Sequence, residues 1–319
     1  MGRLGSSVRS PWWLHVKTAK GTILAVAPIE LDEVREILKL ARREDLGSGD
    51  ISTELLPQKG QDASFLILLK EPAVLAGCAL ANEILATYGS EIQIDWREDN
   101  QDGVAKWVVP AVLAGIDGPL GLMLAAERVL LNFLQRLCGV ATLTRKYVDA
   151  IAGTPAKIFD TRKTTPGWRA LEKYAVRCGG GHNHRMGLFD AVLIKDNHLA
   201  GVETSRLAAR VFEMLNRLDA EKPKPTFVAV EAQSIEQAAE LFRVVGVDVL
   251  LLDNFALGDL CQAVELRDEF GLRGKVELEA SGGIRLENVR AVAETGVDRI
   301  SVGAITHSAV AIDMSLERD

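Results

Sequence analysis

From residue 156 onward, short apolar runs alternate with amphipathic stretches, and this alternation narrows the possible folds more than any other feature. Six runs read as strands, over residues 156–160, 191–195, 226–231, 247–253, 276–281 and 299–302. Between them, residues 203–218, 235–245, 257–270 and 286–295 carry apolar residues at helical spacing. Strands separated by helices call for right-handed crossovers and a parallel sheet. The runs are apolar almost throughout, as expected of strands covered on both faces. The pattern alone allows a closed barrel or an open doubly wound sheet. No Gly-x-Gly-x-x-Gly follows the first run, which argues against a dinucleotide-binding version.

The preceding half is less regular. Residues 30–46 read as an amphipathic helix, with Leu31, Val34, Ile37, Leu38 and Ala41 at three- and four-residue spacing, and Asp45-Leu-Gly-Ser-Gly-Asp50 ends it with turn chemistry. Residues 63–69 and 92–96 read as strands, with a helix over 80–88 between them. Asn100-Gln-Asp-Gly103 marks a hairpin turn. A long helix runs from about 120 to 148 and places Arg128, Asn132 and Gln135 on one polar stripe, which by itself reads as a solvated face. Residues 1–29 read as a poorly specified extension.

Composition removes whole classes of function. The chain has 319 residues, 48% hydrophobic and 25% charged, enough to bury a core without disulfides. Its 37 Lys and Arg against 44 Asp and Glu leave a net charge of −7, which disfavours nucleic acid and anionic membranes as partners. Cys78, Cys138, Cys178 and Cys261 form no Cys-x-x-Cys and read as reduced, mostly buried hydrophobes. No apolar run reaches the roughly 20 residues of a membrane span. The richest, 111–126, is broken by Asp117, Gly118 and Pro119. With no secretory segment, the expected location is the cytoplasm.

Parallel α/β folds build their sites at the carboxyl ends of the strands. Here those ends are Asp160-Thr161-Arg162-Lys163, Lys195-Asp196, Glu231, Asp253, Ser281-Gly282-Gly283 and Gly303-Ala304. Arg162, Lys163, His184, Arg185 and Lys195 can be cationic, and from 160 to 198 seven Lys and Arg outnumber four Asp and Glu. Such a cluster suits a substrate rich in carboxylate or phosphate. Glu231 and Asp253 suit Mg²⁺ held largely through water and phosphate oxygens. The two late glycine turns suit a phosphate. Two alternatives stay open on these residues. His182-Asn-His184 could belong to a zinc site, although only His15, His198 and His307 remain to complete it. Lys195, among other cations at a strand end, could be a Schiff-base lysine of a barrel aldolase.

Arranged in order, these stretches resemble the quinolinate phosphoribosyltransferase family, also called carboxylating nicotinate-nucleotide pyrophosphorylases. The resemblance rests on Arg43-Glu-Asp-Leu-Gly-Ser-Gly-Asp-Ile-Ser52, Ala126-Glu-Arg-Val-Leu-Leu-Asn-Phe-Leu-Gln-Arg136, Asp160-Thr-Arg-Lys-Thr-Thr-Pro-Gly167 and Glu172-Lys-Tyr-Ala-Val176. Gly179-Gly-Gly-His-Asn-His-Arg-Met-Gly-Leu-Phe-Asp190, Leu193-Ile-Lys-Asp-Asn-His198, Val230-Glu231, Leu252-Asp-Asn254, Ser281-Gly-Gly-Ile284 and Ser301-Val-Gly-Ala304 complete it. Val129 and Cys138 depart from the Thr and Ser more usual there.

The resemblance implies an α/β sandwich over 30–140, an incomplete parallel α/β barrel of about six strands over 141–305, and a tail, 306–319, returning to the first domain. This is the type II phosphoribosyltransferase arrangement. It implies transfer of a phosphoribosyl group from phosphoribosyl pyrophosphate to quinolinate with loss of CO₂, in a homodimer or a dimer-based assembly with shared sites. Arg128 would reach into the partner's barrel. Thr161, Arg162, Lys163, His184, Arg185 and Lys195 would bind quinolinate and diphosphate, Glu231 and Asp253 would serve Mg²⁺ and the ribose hydroxyls, and Ser281, Gly282, Gly283, Gly303 and Ala304 would bind the 5′-phosphate. A sister family tied to molybdenum transport, and a non-enzymatic scaffold, are the competing readings.

Overall fold

The computed structural model describes residues 31–218 and 224–319; the expected extension over 1–29 lies outside them. The first part runs α1 (Leu31–Leu46), α2 (Ile51–Glu54), β1 (Asp62–Leu69), β2 (Ala73–Val74), α3 (Cys78–Ala86), β3 (Gln93–Trp96), β4 (Ala105–Lys106), β5 (Ala111–Pro119) and α4 (Leu120–Ala150). The second runs β6 (Lys157–Phe159), α5 (Arg169–Cys178), β7 (Val192–Ile194), α6 (Leu207–Leu215), β8 (Val228–Ala232), α7 (Ile235–Leu241), β9 (Val249–Asp253), α8 (Leu257–Glu269), β10 (Glu277–Ser281), α9 (Leu286–Glu294), β11 (Arg299–Ser301), α10 (Ala304–His307) and β12 (Met314–Arg318).

Local chemistry explains the first elements. α1 buries Val34 and Leu38 and leaves its charged side to solvent. Asp50 starts α2, its carboxylate accepting from the Ser52 and Thr53 amides. The antiparallel sheet has the order β12-β1-β5-β3, so the last strand of the chain lies against the first. The turn at 100–103 forms, but not as a hairpin: β3 pairs with β5 and β4 pairs with β2. Asp102 is used instead to cap α3, accepting from the amides of Cys78 at 2.8 Å and Ala79 at 3.2 Å. Strand β5 lies in the apolar run 111–126, and Pro119 is where strand gives way to helix.

α4 packs on both α3 and α5, so one helix spans the two parts. Its polar stripe divides. Arg128 and Asn132 are exposed, whereas Gln135 holds the tail, its side chain donating to the Met314 carbonyl at 3.0 Å and its carbonyl accepting from the Ile312 amide at 3.0 Å.

The second sheet settles the choice left open by pattern. All six strands are parallel in the order β6-β11-β10-β9-β8-β7. The first strand neighbours the last and the rest follow in sequence. That is a barrel interrupted between β6 and β7, whereas a doubly wound sheet would reverse direction at an internal strand. The β6 side of the interruption is lined by the chain after α5: the His182 amide donates to the Ile158 carbonyl at 2.8 Å, and the Asp160 amide donates to the His182 carbonyl at 3.0 Å. Register puts Glu231, Leu251, Glu279 and Arg299 in one layer, with Asp253 and Ser281 two residues nearer the carboxyl rim.

Candidate active site at the strand ends

Asp160, although it closes β6, turns away from the barrel mouth. It is wholly buried, and its carboxylate accepts from the Lys173 ammonium, from the His184 amide at 2.8 Å and from Asn183 Nδ2 at 2.6 Å. Burial pushes Asp160 up and Lys173 down, each partly offset by the other. This pair stitches β6 to the 182–185 segment and so fixes the residues that follow.

Those residues are the cations. Thr161 shapes the turn, its hydroxyl accepting from the Lys163 amide at 3.0 Å. Arg185 is buried, and its guanidinium is held below the usual range first by burial and then by the neighbouring Arg162. Arg162 keeps a buried Nε without a hydrogen-bond partner. Among the described residues, no carboxylate lies within ion-pair distance of Arg162, Lys163 or Arg185. Lys195 differs: its ammonium is 3.5 Å from Glu231 Oε2 and its side chain is half exposed. That pairing takes away the cationic surroundings that favoured an aldolase lysine.

His184 is a correction to the expected cationic set. Burial, then Arg299, Lys173 and Arg185, push its pKa down to about 3. It is neutral at physiological pH. Nδ1 accepts from the Arg185 amide at 2.8 Å, so Nε2 carries the proton and faces Glu279 Oε1 at 3.4 Å. His184 therefore orients Arg185 and adds no charge. No group of three or more His, Cys, Asp or Glu among the described residues could hold a metal by itself, so His182 and His184 lack the further ligands that a zinc site requires.

Glu231 and Asp253 stand on neighbouring strands. Burial raises the Glu231 carboxyl, Lys195 opposes this, and Asp253 and Asp196 reinforce it. Clustered carboxylates only partly offset by one lysine fit a divalent cation whose other ligands are water and substrate oxygens.

The glycines differ in why they are needed. Gly282 has φ +93°, and an added Cβ would lie 2.6 Å from Asn254 Cγ. Asn254 itself takes φ 58°; its amide donates to the Ser281 carbonyl at 2.8 Å and its Nδ2 to Asp253 Oδ2 at 2.8 Å. The Ser281 turn and Asp253 are thus one unit. Gly303 has ordinary helical φ. It must be small because an added Cβ would meet Lys163 Cδ at 3.0 Å and His307 Nε2 at 3.3 Å. His307 is a residue that the strand-end rule did not reach.

Two buried networks beneath the rim were also not legible. Arg136 donates to Glu172 Oε1 at 2.7 Å, the Thr306 carbonyl at 2.6 Å and the Ala309 carbonyl at 2.5 Å. Glu172 in turn accepts from the Thr165 amide and hydroxyl at 3.1 and 2.8 Å. Inside the barrel, Arg299 Nε is 2.7 Å from Glu279 Oε2, and its guanidinium lies 3.9 Å from the Phe159 ring centre. In both, charged residues occupy positions that apolar periodicity assigns to the core. Arg128 is not brought into the pocket; it stands exposed on α4, 4.0 Å from Glu127.

Comparison with known proteins gives the lineage. A family model for the quinolinate phosphoribosyl transferase N-terminal domain matches residues 50–138, and that for the C-terminal domain matches residues 140–317. The carboxylating nicotinate-nucleotide pyrophosphorylase of Mycobacterium leprae is 39% identical over 296 residues, covering 90% of this chain and 98% of its own. A decarboxylating quinolinate phosphoribosyltransferase of Nicotiana tabacum, described as mitochondrial, is 37% identical over 305 residues, 90% of this chain and 82% of its own. The solved nicotinate-nucleotide pyrophosphorylase of Francisella tularensis superimposes with TM-score 0.81 at 38% identity, covering 92% of this chain and 99% of that one. A sandwich and an interrupted barrel with cations and carboxylates at its rim, matched in both halves and at this identity, mean that the chain belongs to the quinolinate phosphoribosyltransferase family.

Proposed function

We propose that this chain transfers the phosphoribosyl group of phosphoribosyl pyrophosphate to quinolinate, releasing pyrophosphate and CO₂ and leaving nicotinate mononucleotide. The observation that carries this reading is the pair of neighbouring guanidiniums, Arg162 and Arg185, which among the described residues form no ion pair with a carboxylate, in a protein of net charge −7. Two guanidinium forks that no carboxylate engages in an ion pair match the two carboxylates of a dianionic acceptor. Thr161 sets the turn that aims Arg162 and Lys163. His184 fixes Arg185 through its backbone. Lys163, lying against Gly303, takes the phosphate-rich donor with the Ser281-Gly282-Gly283 and Gly303-Ala304 turns.

In the reaction, the bond from ribose C1 to the pyrophosphate oxygen breaks and the bond from C1 to the pyridine nitrogen forms. Glu231 and Asp253 favour the positive charge developing at C1, and Lys163 and Lys195 the negative charge on the leaving group. Holding the ring nitrogen against C1 supplies much of the rate. No general base is needed, because that nitrogen has no proton to lose. Its positive charge then assists loss of CO₂ from the adjacent carbon, which takes a proton in its place. Glu231 and Asp253 would hold Mg²⁺, which when bound would help to neutralise the diphosphate. The exposure of Arg128 supports its use by a second subunit in a homodimer. The cytoplasm is the proposed location, with cell fractionation as its test. Among the described residues no helix is long and apolar enough to cross a membrane.

The deciding assay mixes the protein, Mg²⁺ and phosphoribosyl pyrophosphate with quinolinate or nicotinate, and follows nucleotide and CO₂. Product with quinolinate alone is the expected result. Equal turnover of nicotinate, or full turnover in excess chelator, would refute the roles given to the arginine pair or the carboxylate pair respectively.

A further inference from the structure

We propose that Thr306 is a positioning residue for donor binding, acting through Lys163. The inference rests on the reading that Lys163 and the Gly303 turn hold phosphoribosyl pyrophosphate. Thr306 is wholly buried, yet its hydroxyl is 2.8 Å from the Lys163 carbonyl and 3.0 Å from the Gly303 carbonyl. One hydroxyl hydrogen shared between these acceptors joins two segments far apart in sequence. The same residue's carbonyl accepts from Arg136, which is anchored on the buried Glu172. Glu172 also holds Thr165, two residues beyond Lys163. The loop is therefore tied to the helix that follows Gly303 at Lys163 directly and at Thr165 through Glu172 and Arg136.

The strap has a specific consequence. Lys163 is exposed and carries a long flexible side chain, so its placement depends on where its backbone is held. The Gly303 turn and the Lys163 aliphatic chain touch across this strap. Releasing it lets the lysine leave the turn, and the donor loses a prearranged cation. The Thr306 hydroxyl makes no hydrogen bond to Arg162 or Arg185, the pair assigned to the acceptor, so the acceptor side is expected to be spared.

The test is steady-state kinetics on the full chain with Mg²⁺. Thr306→Val keeps the shape and removes the hydroxyl. The KM for phosphoribosyl pyrophosphate should rise about five- to tenfold, the loss expected for one buried hydrogen bond. The KM for quinolinate should stay within about twofold, and Thr306→Ser should restore donor affinity. Combined with Lys163→Ala, Thr306→Val should add nothing, because it acts through that lysine. Arg136→Lys keeps the charge beside Glu172 but cannot fork onto both carbonyls; it should give the same donor-selective rise and reads the strap if Thr306→Val does not fold. An equal rise in both KM values, a multiplicative double mutant, or no rescue by serine would overturn the proposal. If Lys163→Ala weakens the donor and Thr306→Val does not, the strap alone fails. If Lys163→Ala leaves the donor KM unchanged, the donor reading fails and the strap with it.

Discussion

Replacing His184 with glutamine should flatten the acid limb of the stability curve. His184 is 9% exposed and its pKa is held down to about 3 by burial, then Arg299, Lys173 and Arg185. In the unfolded chain an imidazole titrates near 6.5. The folded value lies below the unfolded one, so protons favour the unfolded state. The stability tied to neutral His184 is complete above about pH 6.5 and is lost as pH falls toward 3. Each unit is worth about 1.4 kcal/mol, so from pH 7.5 to 4.5 the loss due to this ring is about 2.5 kcal/mol. Glutamine does not titrate and retains an oxygen that can accept from the Arg185 amide. Urea unfolding at fixed protein concentration, at half-unit pH steps, measures both proteins. The free-energy gap between wild type and His184→Gln should shrink by that amount toward pH 4.5. Parallel curves, or an NMR titration placing His184 near 6.5, would refute the assignment of a neutral ring.

Two more outcomes follow from the geometry. Gly282→Ala should destabilise the fold by about 1–3 kcal/mol, from a side chain at positive φ and displacement of Asn254. It should cost more activity than stability, because Asp253 is tied to that asparagine; a stable, fully active variant would break the link between turn and carboxylate. Arg128→Ala and Lys195→Ala should each be inactive, but mixed after subunit exchange they should recover about a quarter of wild-type activity through hybrid dimers with one intact site. No recovery despite demonstrated exchange would remove the shared site.

The rim was legible because chemistry at strand ends departs from its surroundings. Arg162, Lys195, Glu231 and Asp253 each interrupt an apolar run, and the structure sets the last three at or near the ends of their strands. His184 was legible as a residue but not as a charge state. Its sequence neighbours say nothing of Arg299, which lies more than a hundred positions away and helps to keep it neutral. Asp160 shows the converse error. It ends a strand as the others do, yet its carboxylate faces α5, and only the placement of Lys173 on that helix reveals it. The hairpin expected at 100–103 failed because turn propensity is local, whereas strand pairing depends on which neighbours are apolar enough to cover.

Alternation of period and the order of polar interruptions were enough to specify parallel strands, crossover helices and a charged mouth, since those follow from burying both faces of a sheet. Whether the sheet would curl was beyond them. That depended on β6 pairing with β11 across the whole second half of the chain, a long-range contact that no local pattern encodes. The straps around Arg136, Glu172 and Thr306 likewise exist only once α4, α5 and α10 meet. Burial there makes every unpaired polar atom costly, so tertiary structure alone decided which charged residues stand at the barrel mouth and which hold the others in place.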